Sequence, residues 1–236
     1  MSEFILIRHG QASFGKANYD QLSDLGKKQC YKLGIHLATT LNKVDKVYIG
    51  ELQRHRESAE AILEGFNSQG KSLPEFIKTK NLNEHHGPRV VRKYFDQLKE
   101  EDSPEGAYAR AFDPSDPVQM NKYFRFFNDI TSRWAEGEID VPEIESWQIF
   151  RSKTKKALSQ IMENDNGGEH ILVVTSGGPV ASLCGEALSI TEGKIMGLAQ
   201  LIINASFSRV LRSNDRLSLR SFNEHIFNDE QFITLV

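Results

Sequence analysis

Short apolar runs alternate with longer amphipathic stretches along the chain, and such runs are typical of buried strands. The runs that predict strands are Phe4–Ile7, Lys46–Ile49, Phe76–Leu82, His170–Thr175, Ala199–Ile203, Phe207–Leu211 and Leu217–Phe222. Apolar residues at helical spacing predict a helix at Leu52–Phe66. Further helices are predicted from about Asp24 to Thr40, from about Glu143 to Glu163, and from the Gly177–Pro179 turn through Ala187. This alternation predicts an α/β fold, and we expect a three-layer α/β/α sandwich around a mostly parallel central sheet.

The pattern changes between residues 85 and 142. This segment is rich in charged residues and holds five of the seven prolines of the chain. It indicates irregular helices around Asp113–Pro117. We therefore expect a single domain, 1–236, with a helical insertion at about 85–142 over the pocket at one end of the sheet.

Composition narrows the classes of function. The 236 residues include 32 acidic and 29 basic side chains, a formal net charge of −3, so there is no basic excess for nucleic-acid binding. No apolar stretch reaches the length of a membrane span or of a signal peptide. The two cysteines, Cys30 and Cys184, are too few for a disulfide framework and fit small core positions. We expect a cytoplasmic globular protein that binds neither nucleic acid nor membrane.

The first candidate site is Arg8-His9-Gly10, at the carboxyl end of the first predicted strand. Ligands of open α/β sheets bind at that edge. A guanidinium group presents a fork of donors to phosphate, and an imidazole can act as a nucleophile. Arg54 lies in a first helical turn, where the helix N-terminus already attracts anions. Each motif alone also fits ordinary surface charge, so the prediction of a phosphate pocket rests on their combination.

Two further candidates follow predicted strands later in the chain. A desolvated glutamate in the position of Glu84 can act as a general acid or base. The adjacent His85 and His86 suggest a metal site as an alternative, but neighbouring side chains diverge on a strand and no third ligand lies nearby, so we expect no metal. Ser176 and Gly177 lie in a glycine turn before a helix, which favours an anion-binding backbone nest. Ser176 lacks the Gly-x-Ser-x-Gly context of a serine hydrolase.

Together these segments resemble the histidine phosphatase superfamily, the phosphoglycerate-mutase-like enzymes, over nearly the whole chain. Arg8-His9-Gly10 matches the nucleophile motif of that family. The other matching segments are Asp20–Gly26 with Gln29, Leu52–Arg54 with Ser58-Ala59, Leu82–Glu84, Glu145-Ser146, Asn204 and Asn223–His225. The resemblance implies a phosphate-binding pocket at the carboxyl edge of the sheet.

The resemblance also implies a role for each site residue and a small phosphorylated substrate. The implied residues are His9, Glu84 and Ser176 for catalysis, and Arg8, Arg54 and Gly177 for substrate binding. In this scheme His9 attacks phosphorus to form a phosphohistidine, and Glu84 protonates the leaving alkoxide. No metal or cofactor takes part, and the oligomeric state stays open. We expect the loop of the first motif to begin at Arg8, because adjacent side chains of a strand point in opposite directions.

The main departure from the family pattern is at position 176. The family has a second catalytic histidine in a Ser/Thr-His-Gly-Gly turn after its last core strand, and this chain has Ser176 there. The histidines considered as substitutes are His55, His85 and His86, on segments at the pocket edge, and His170, at the wrong end of the strand. Two smaller departures are Gly50-Glu51, where the family often has Ser-Pro, and His55, where it often has alanine.

We therefore expect a metal-independent phosphatase that hydrolyses phosphomonoesters through His9. The loss of a charged donor at Ser176 predicts slow turnover or specialisation for an easy leaving group. The alternative is a catalytically impaired pseudophosphatase that binds a phosphorylated ligand or partner. A phosphoglycerate mutase is less favoured, because the segment around Asp113–Pro117 does not resemble the mutase lid.

Overall fold

Six strands form one sheet in the order β3-β2-β4-β1-β5-β6. The strands are β1 (Ser2–Arg8), β2 (Lys46–Ile49), β3 (Phe76–Lys78), β4 (His170–Thr175), β5 (Phe207–Ser213) and β6 (Arg216–Glu224). Strands β3, β2, β4 and β1 are parallel, β5 is antiparallel to β1, and β6 is antiparallel to β5. The structure, a computed structural model, describes residues 1–13 and 20–235. The carboxyl ends of β1, β2 and β4 therefore meet at one edge of the sheet.

Helices cover both faces of this sheet. In the described residues they are α1 (Asp24–Thr40), α2 (Gln53–Ser68), α3 (Gly87–Leu98), α4 (Pro104–Arg110), α5 (Pro117–Glu136), α6 (Trp147–Glu163), α7 (Gly177–Leu188) and α8 (Glu192–Ala199). Ile5 and Ile7 of β1 pack with α1 and α2, whereas Phe4 and Leu6 pack with α6, α7 and α5 on the other face. This two-sided core confirms the predicted α/β/α sandwich with a mostly parallel sheet.

Two predicted strands differ from the observed elements. β3 ends at Lys78, because the Thr79 hydroxyl accepts a hydrogen bond from Asn81 N and starts a 3₁₀ turn over Lys80–Leu82. The predicted strand at Ala199–Ile203 is wrong, since α8 continues to Ala199 and a turn follows. A short apolar run does not distinguish a buried strand from the end of a buried helix.

The segment from 85 to 142 contains regular helices, where irregular ones were predicted. The prolines and aspartates at 113–117 begin α5: the Asp116 carboxylate accepts from Val118 N at 2.8 Å, and Pro117 occupies the first turn. Ile130 and Trp134 of α5 belong to the core on the side of the sheet opposite α1 and α2. Proline here marks the start of a helix and does not interrupt one.

Both cysteines are buried and unbridged, on opposite sides of the sheet. Burial raises the pKa of Cys30 to about 11 and that of Cys184 to about 12. Both thiols therefore stay protonated near neutral pH. None of the helices in the described ranges is long and apolar enough to span a membrane.

Candidate active site

The pairing register brings the candidate residues to the carboxyl edge of the sheet. Arg8 lies opposite Thr175 in the parallel pair of β1 and β4, so His9 and Ser176 each follow directly at that edge. Ile49 of β2 lies opposite Val174, so α2 begins at the same edge. Arg8 is the last residue of β1, and the loop begins at His9, not at Arg8 as predicted. The parallel ladder keeps Arg8 extended through its pairing with β4.

The imidazole of His9 is held in one tautomer. Its Nδ1 lies 2.7 Å from the carbonyl oxygen of Gly10, which can only accept, so Nδ1 carries the hydrogen. Nε2 of the neutral ring therefore has the free lone pair. His9 is 5% exposed. Burial, followed by the charges of Arg8 and Arg54, holds the pKa of His9 well below its usual range.

The backbone around His9 is anchored on both sides. The His9 carbonyl accepts from Ala205 N at 3.1 Å and from the Asn204 amide at 3.3 Å. Gly10 N donates to the Ser58 hydroxyl of α2 at 3.1 Å. A Cβ on Gly10 would overlap the backbone of Gly26 in α1. These contacts explain why Asn204, Ser58 and Gly26 belong to the matching pattern.

Arg54 extends from the first turn of α2 toward Asp20. Its Nη1 lies 2.5 Å from one Asp20 oxygen, and the other accepts from Gln53 N at 2.8 Å. Asp20 therefore orients Arg54 and caps α2, whose N-cap residue Leu52 has no polar side chain. Asp20 is not among the predicted site residues, and no local spacing connects it with α2.

Arg8 extends along the same edge toward α7. Its Nη1 donates to the carbonyl of Ile202, and its Nη2 donates to that of Leu235 at 2.6 Å. Gly177 lies close to this side chain, since a Cβ on Gly177 would be 3.8 Å from the Arg8 Nε. The first turn of α7 therefore lies beside the Arg8 side chain.

Glu84 lies at the N-terminus of α7. One carboxylate oxygen accepts from Gly178 N at 3.2 Å, and the other accepts from His85 N at 2.9 Å. A Cβ on Gly178 would come within 2.5 Å of the His85 ring. The Thr175 hydroxyl donates to the Leu82 carbonyl and ties this segment to β4. Glu84 is thus brought to the edge that carries His9.

His85 has a packing role. Its ring lies 5.7 Å from Trp134, 5.7 Å from Trp147 and 5.3 Å from Phe150, between ring centroids. Its Nδ1 accepts from Gly87 N at 3.0 Å, so that nitrogen is occupied. Burial lowers the pKa of His85. In the part of the chain that the structure describes, no group of three or more His, Cys, Asp or Glu is arranged to hold a metal ion.

The position of the missing histidine is also at this edge. Ser176 is fully buried, and its hydroxyl lies 2.7 Å from Nε2 of His55, which is equally buried. The ring of His55 lies 5.9 Å from that of His9. His170 pairs with Glu3 at the opposite end of β4 and is far from the site, as expected.

Comparison with known proteins gives one family and one fold. The model of the histidine phosphatase superfamily, branch 1, matches residues 4–125 and 119–225. Bacillus stearothermophilus YhfR is 14% identical with a TM-score of 0.66, over 96% of this chain and 98% of that chain. A mycobacterial glucosyl-3-phosphoglycerate phosphatase is 16% identical with a TM-score of 0.61, over 95% and 99%.

A phosphoglycerate mutase from Bacillus anthracis has a similar structure, at 18% identity and a TM-score of 0.61, over 94% of this chain and 93% of that chain. Curated protein sequences give no significant match. At these identities the solved structures establish a shared fold, in a phosphatase and a mutase alike.

Proposed function

Because this chain belongs to branch 1 of the histidine phosphatase superfamily, we propose that it hydrolyses phosphomonoesters through a phosphohistidine on His9. The observation that carries the proposal is the state of His9. Its ring is neutral, its Nδ1 hydrogen is donated to Gly10, and the charges of Arg8 and Arg54 act on it. The remaining lone pair on Nε2 is what a nitrogen nucleophile requires.

In the first step Nε2 of His9 attacks phosphorus and the bond to the ester oxygen breaks. Charge in the transition state spreads over the three equatorial oxygens. Arg8 and Arg54 supply two guanidinium groups for these oxygens, and Gly177 at the start of α7 supplies a backbone N–H. Positive charge from the protein serves where other phosphatases use a metal ion, so the reaction uses no metal or cofactor.

The leaving oxygen needs a proton, and Glu84 is the proposed donor. Its carboxyl group is held by Gly178 N at 3.2 Å, in the turn of α7 that lies beside Arg8. After the alcohol leaves, Glu84 takes a proton from water as the water attacks the phosphohistidine. The P–N bond breaks, phosphate leaves, and neutral His9 is restored.

The test is covalent labelling together with turnover of the full chain. We expect phosphoramidate to give an acid-labile phosphoprotein, and para-nitrophenyl phosphate to be hydrolysed with and without EDTA. His9→Ala should abolish both signals. His36→Ala is the matched control, because His36 lies about 15 Å further along α1 than Gly26, the residue of α1 that packs against Gly10 at the edge, and it should retain both. Turnover that requires added magnesium or zinc would refute the metal-free reaction.

A pseudophosphatase is the second candidate, and the uncharged Ser176 in place of histidine favours it. Such a protein would bind orthovanadate or phosphate at Arg8 and Arg54 without turnover. Binding without labelling of His9 and without hydrolysis would establish this reading.

A further inference from the structure

Three positions at which the chain departs from its family pattern meet in space. They are Gly50 after β2, His55 in α2 and Ser176 after β4. The His55 Nε2 lies 2.7 Å from the Ser176 hydroxyl, across 121 residues of sequence. A Cβ on Gly50 would overlap Nδ1 of the same imidazole and lie 2.7 Å from Cε1. Glycine at position 50 thus provides the space that the ring at position 55 occupies.

Ser176 does not cap α7 through its side chain, as a serine at the start of a helix usually does. It is the N-cap residue of α7, yet its hydroxyl makes no capping bond. Gly178 N, which such a hydroxyl could accept from, donates to Glu84. Pro179 has no N–H. The hydroxyl is instead paired with His55.

The direction of that hydrogen bond follows from the other ring nitrogen. The His55 Nδ1 is fully buried and has no hydrogen-bond partner among the residues described. An unpaired buried N–H is rare in proteins, so the favoured tautomer has a bare Nδ1 and a hydrogen on Nε2. Nε2 then donates to the Ser176 oxygen. The hydroxyl hydrogen of Ser176 is left to donate to another acceptor.

We infer that His55 and Ser176 together replace the missing histidine, with the imidazole of His55 orienting the Ser176 hydroxyl as a donor to a phosphoryl oxygen at His9. His55 is a positioning residue, because it acts through Ser176. The imidazole of His55 extends from α2 toward His9, and the centroids of the two rings are 5.9 Å apart. The inference rests on the proposed function and names the groups that complete its phosphoryl site.

The test compares variants of position 55 in hydrolysis of para-nitrophenyl phosphate. His55→Leu fills the space without a donor and should lower kcat about tenfold or more, with KM near the wild-type value. His55→Gln keeps a donor near the Nε2 position and should retain most of kcat. His36→Ala is the control, with wild-type kinetics expected. Thermal unfolding of each variant verifies the fold.

Two double variants distinguish a positioning role of His55 from a structural one, because they measure whether positions 55 and 176 act together and whether a histidine at 176 restores activity. Ser176→Ala and the His55→Leu/Ser176→Ala double variant should have the same kcat, because both remove one oriented donor. His55→Ala/Ser176→His should regain activity over His55→Ala, because the new imidazole enters the space that His55 vacates. A folded His55→Leu variant with wild-type kcat, or independent multiplying effects at the two positions, would overturn the inference.

Orthovanadate affinity separates this inference from the proposed function. If the wild type neither turns over substrate nor labels His9, the proposed function is wrong, and the pair is judged by vanadate binding alone. His55→Leu should then bind vanadate at least about tenfold more weakly than both the wild type and His55→Gln. Equal affinities would overturn the role of the pair.

Discussion

Single side chains at the site are oriented by partners that lie far away in sequence. Asp20 holds Arg54 across 34 residues, and Gly10 holds the tautomer of its neighbour His9. Arg56, two residues after Arg54 on the same helix, lies instead 3.8 Å from Glu60, and its side chain is 53% exposed. Two arginines in one helical turn therefore have different environments.

The prediction at this scale concerns phosphate binding. Phosphate should raise the melting temperature of the wild type, since a ligand that binds only the folded state adds about 2.7 kcal/mol at 100 times its Kd. Arg54→Ala should lose that stabilisation, and the control Arg56→Ala should keep it. Differential scanning fluorimetry over a phosphate titration measures both. Loss in the Arg56 variant alone would place the phosphate outside the proposed pocket.

Helix α2 carries Arg54, His55 and Ser58, and its position depends on close packing against α1. A Cβ on Gly34 of α1 would lie 2.9 Å from the Cα of Ile62 and overlap its carbonyl. A Cβ on Gly65 of α2 would lie 2.8 Å from the Cα of Gly34. Backbone meets backbone at this crossing, so the helix pair has no room to adjust.

Two glycine-to-alanine changes in helices test that packing. Gly34→Ala should destabilise the protein by about 1–3 kcal/mol and lower kcat, because α2 must move. Gly197→Ala in α8 meets nothing within 4 Å of the added Cβ and should stabilise by about 0.5–1 kcal/mol. Urea denaturation gives both free energies. Equal effects of the two changes would mean that the α1–α2 contact does not constrain α2.

At the scale of the whole molecule, folding buries three histidines in their neutral form. Burial is the largest cause of the lowered pKa of His9, His55 and His85. The charge of Arg54 further lowers the pKa of His9 and His55. In acid the unfolded chain therefore binds protons that the folded chain excludes.

The stability of the protein should accordingly fall as the pH drops below about 6.5, the ordinary pKa of histidine. Above this pH a histidine is neutral in both states, so its lowered pKa in the folded state does not change the free energy of unfolding. Below this pH each such histidine lowers the free energy of unfolding by up to about 1.4 kcal/mol per pH unit. Urea titrations at pH 7.5, 6.5 and 5.5 measure the slope. His55→Gln should make it shallower, and Gly197→Ala, which changes no titratable group, should not. An unchanged slope in His55→Gln would mean that His55 is protonated in the folded state.

The sequence by itself determined the alternation of strands and helices, the α/β/α architecture and the family. These follow from local patterns: the Asp24–Thr40 helix begins after Ser23, whose hydroxyl accepts from Gly26 N as a capping serine does. Motifs at the ends of successive parallel strands must share an edge, so the sequence also indicated His9, Arg54 and Ser176 as neighbours.

Only the tertiary structure decided which side chains contact each other at this edge. The contacts of Asp20 with Arg54 and of His55 with Ser176 depend on sheet register and helix packing, which no local spacing encodes. The sequence left His55 as one of several histidines near the pocket edge, and the packing of α2 places its ring against Ser176. The extended Arg8 and the helical end of α8 at Ala199 were likewise set by neighbouring elements, because tertiary contacts override local preference where the local signal is short.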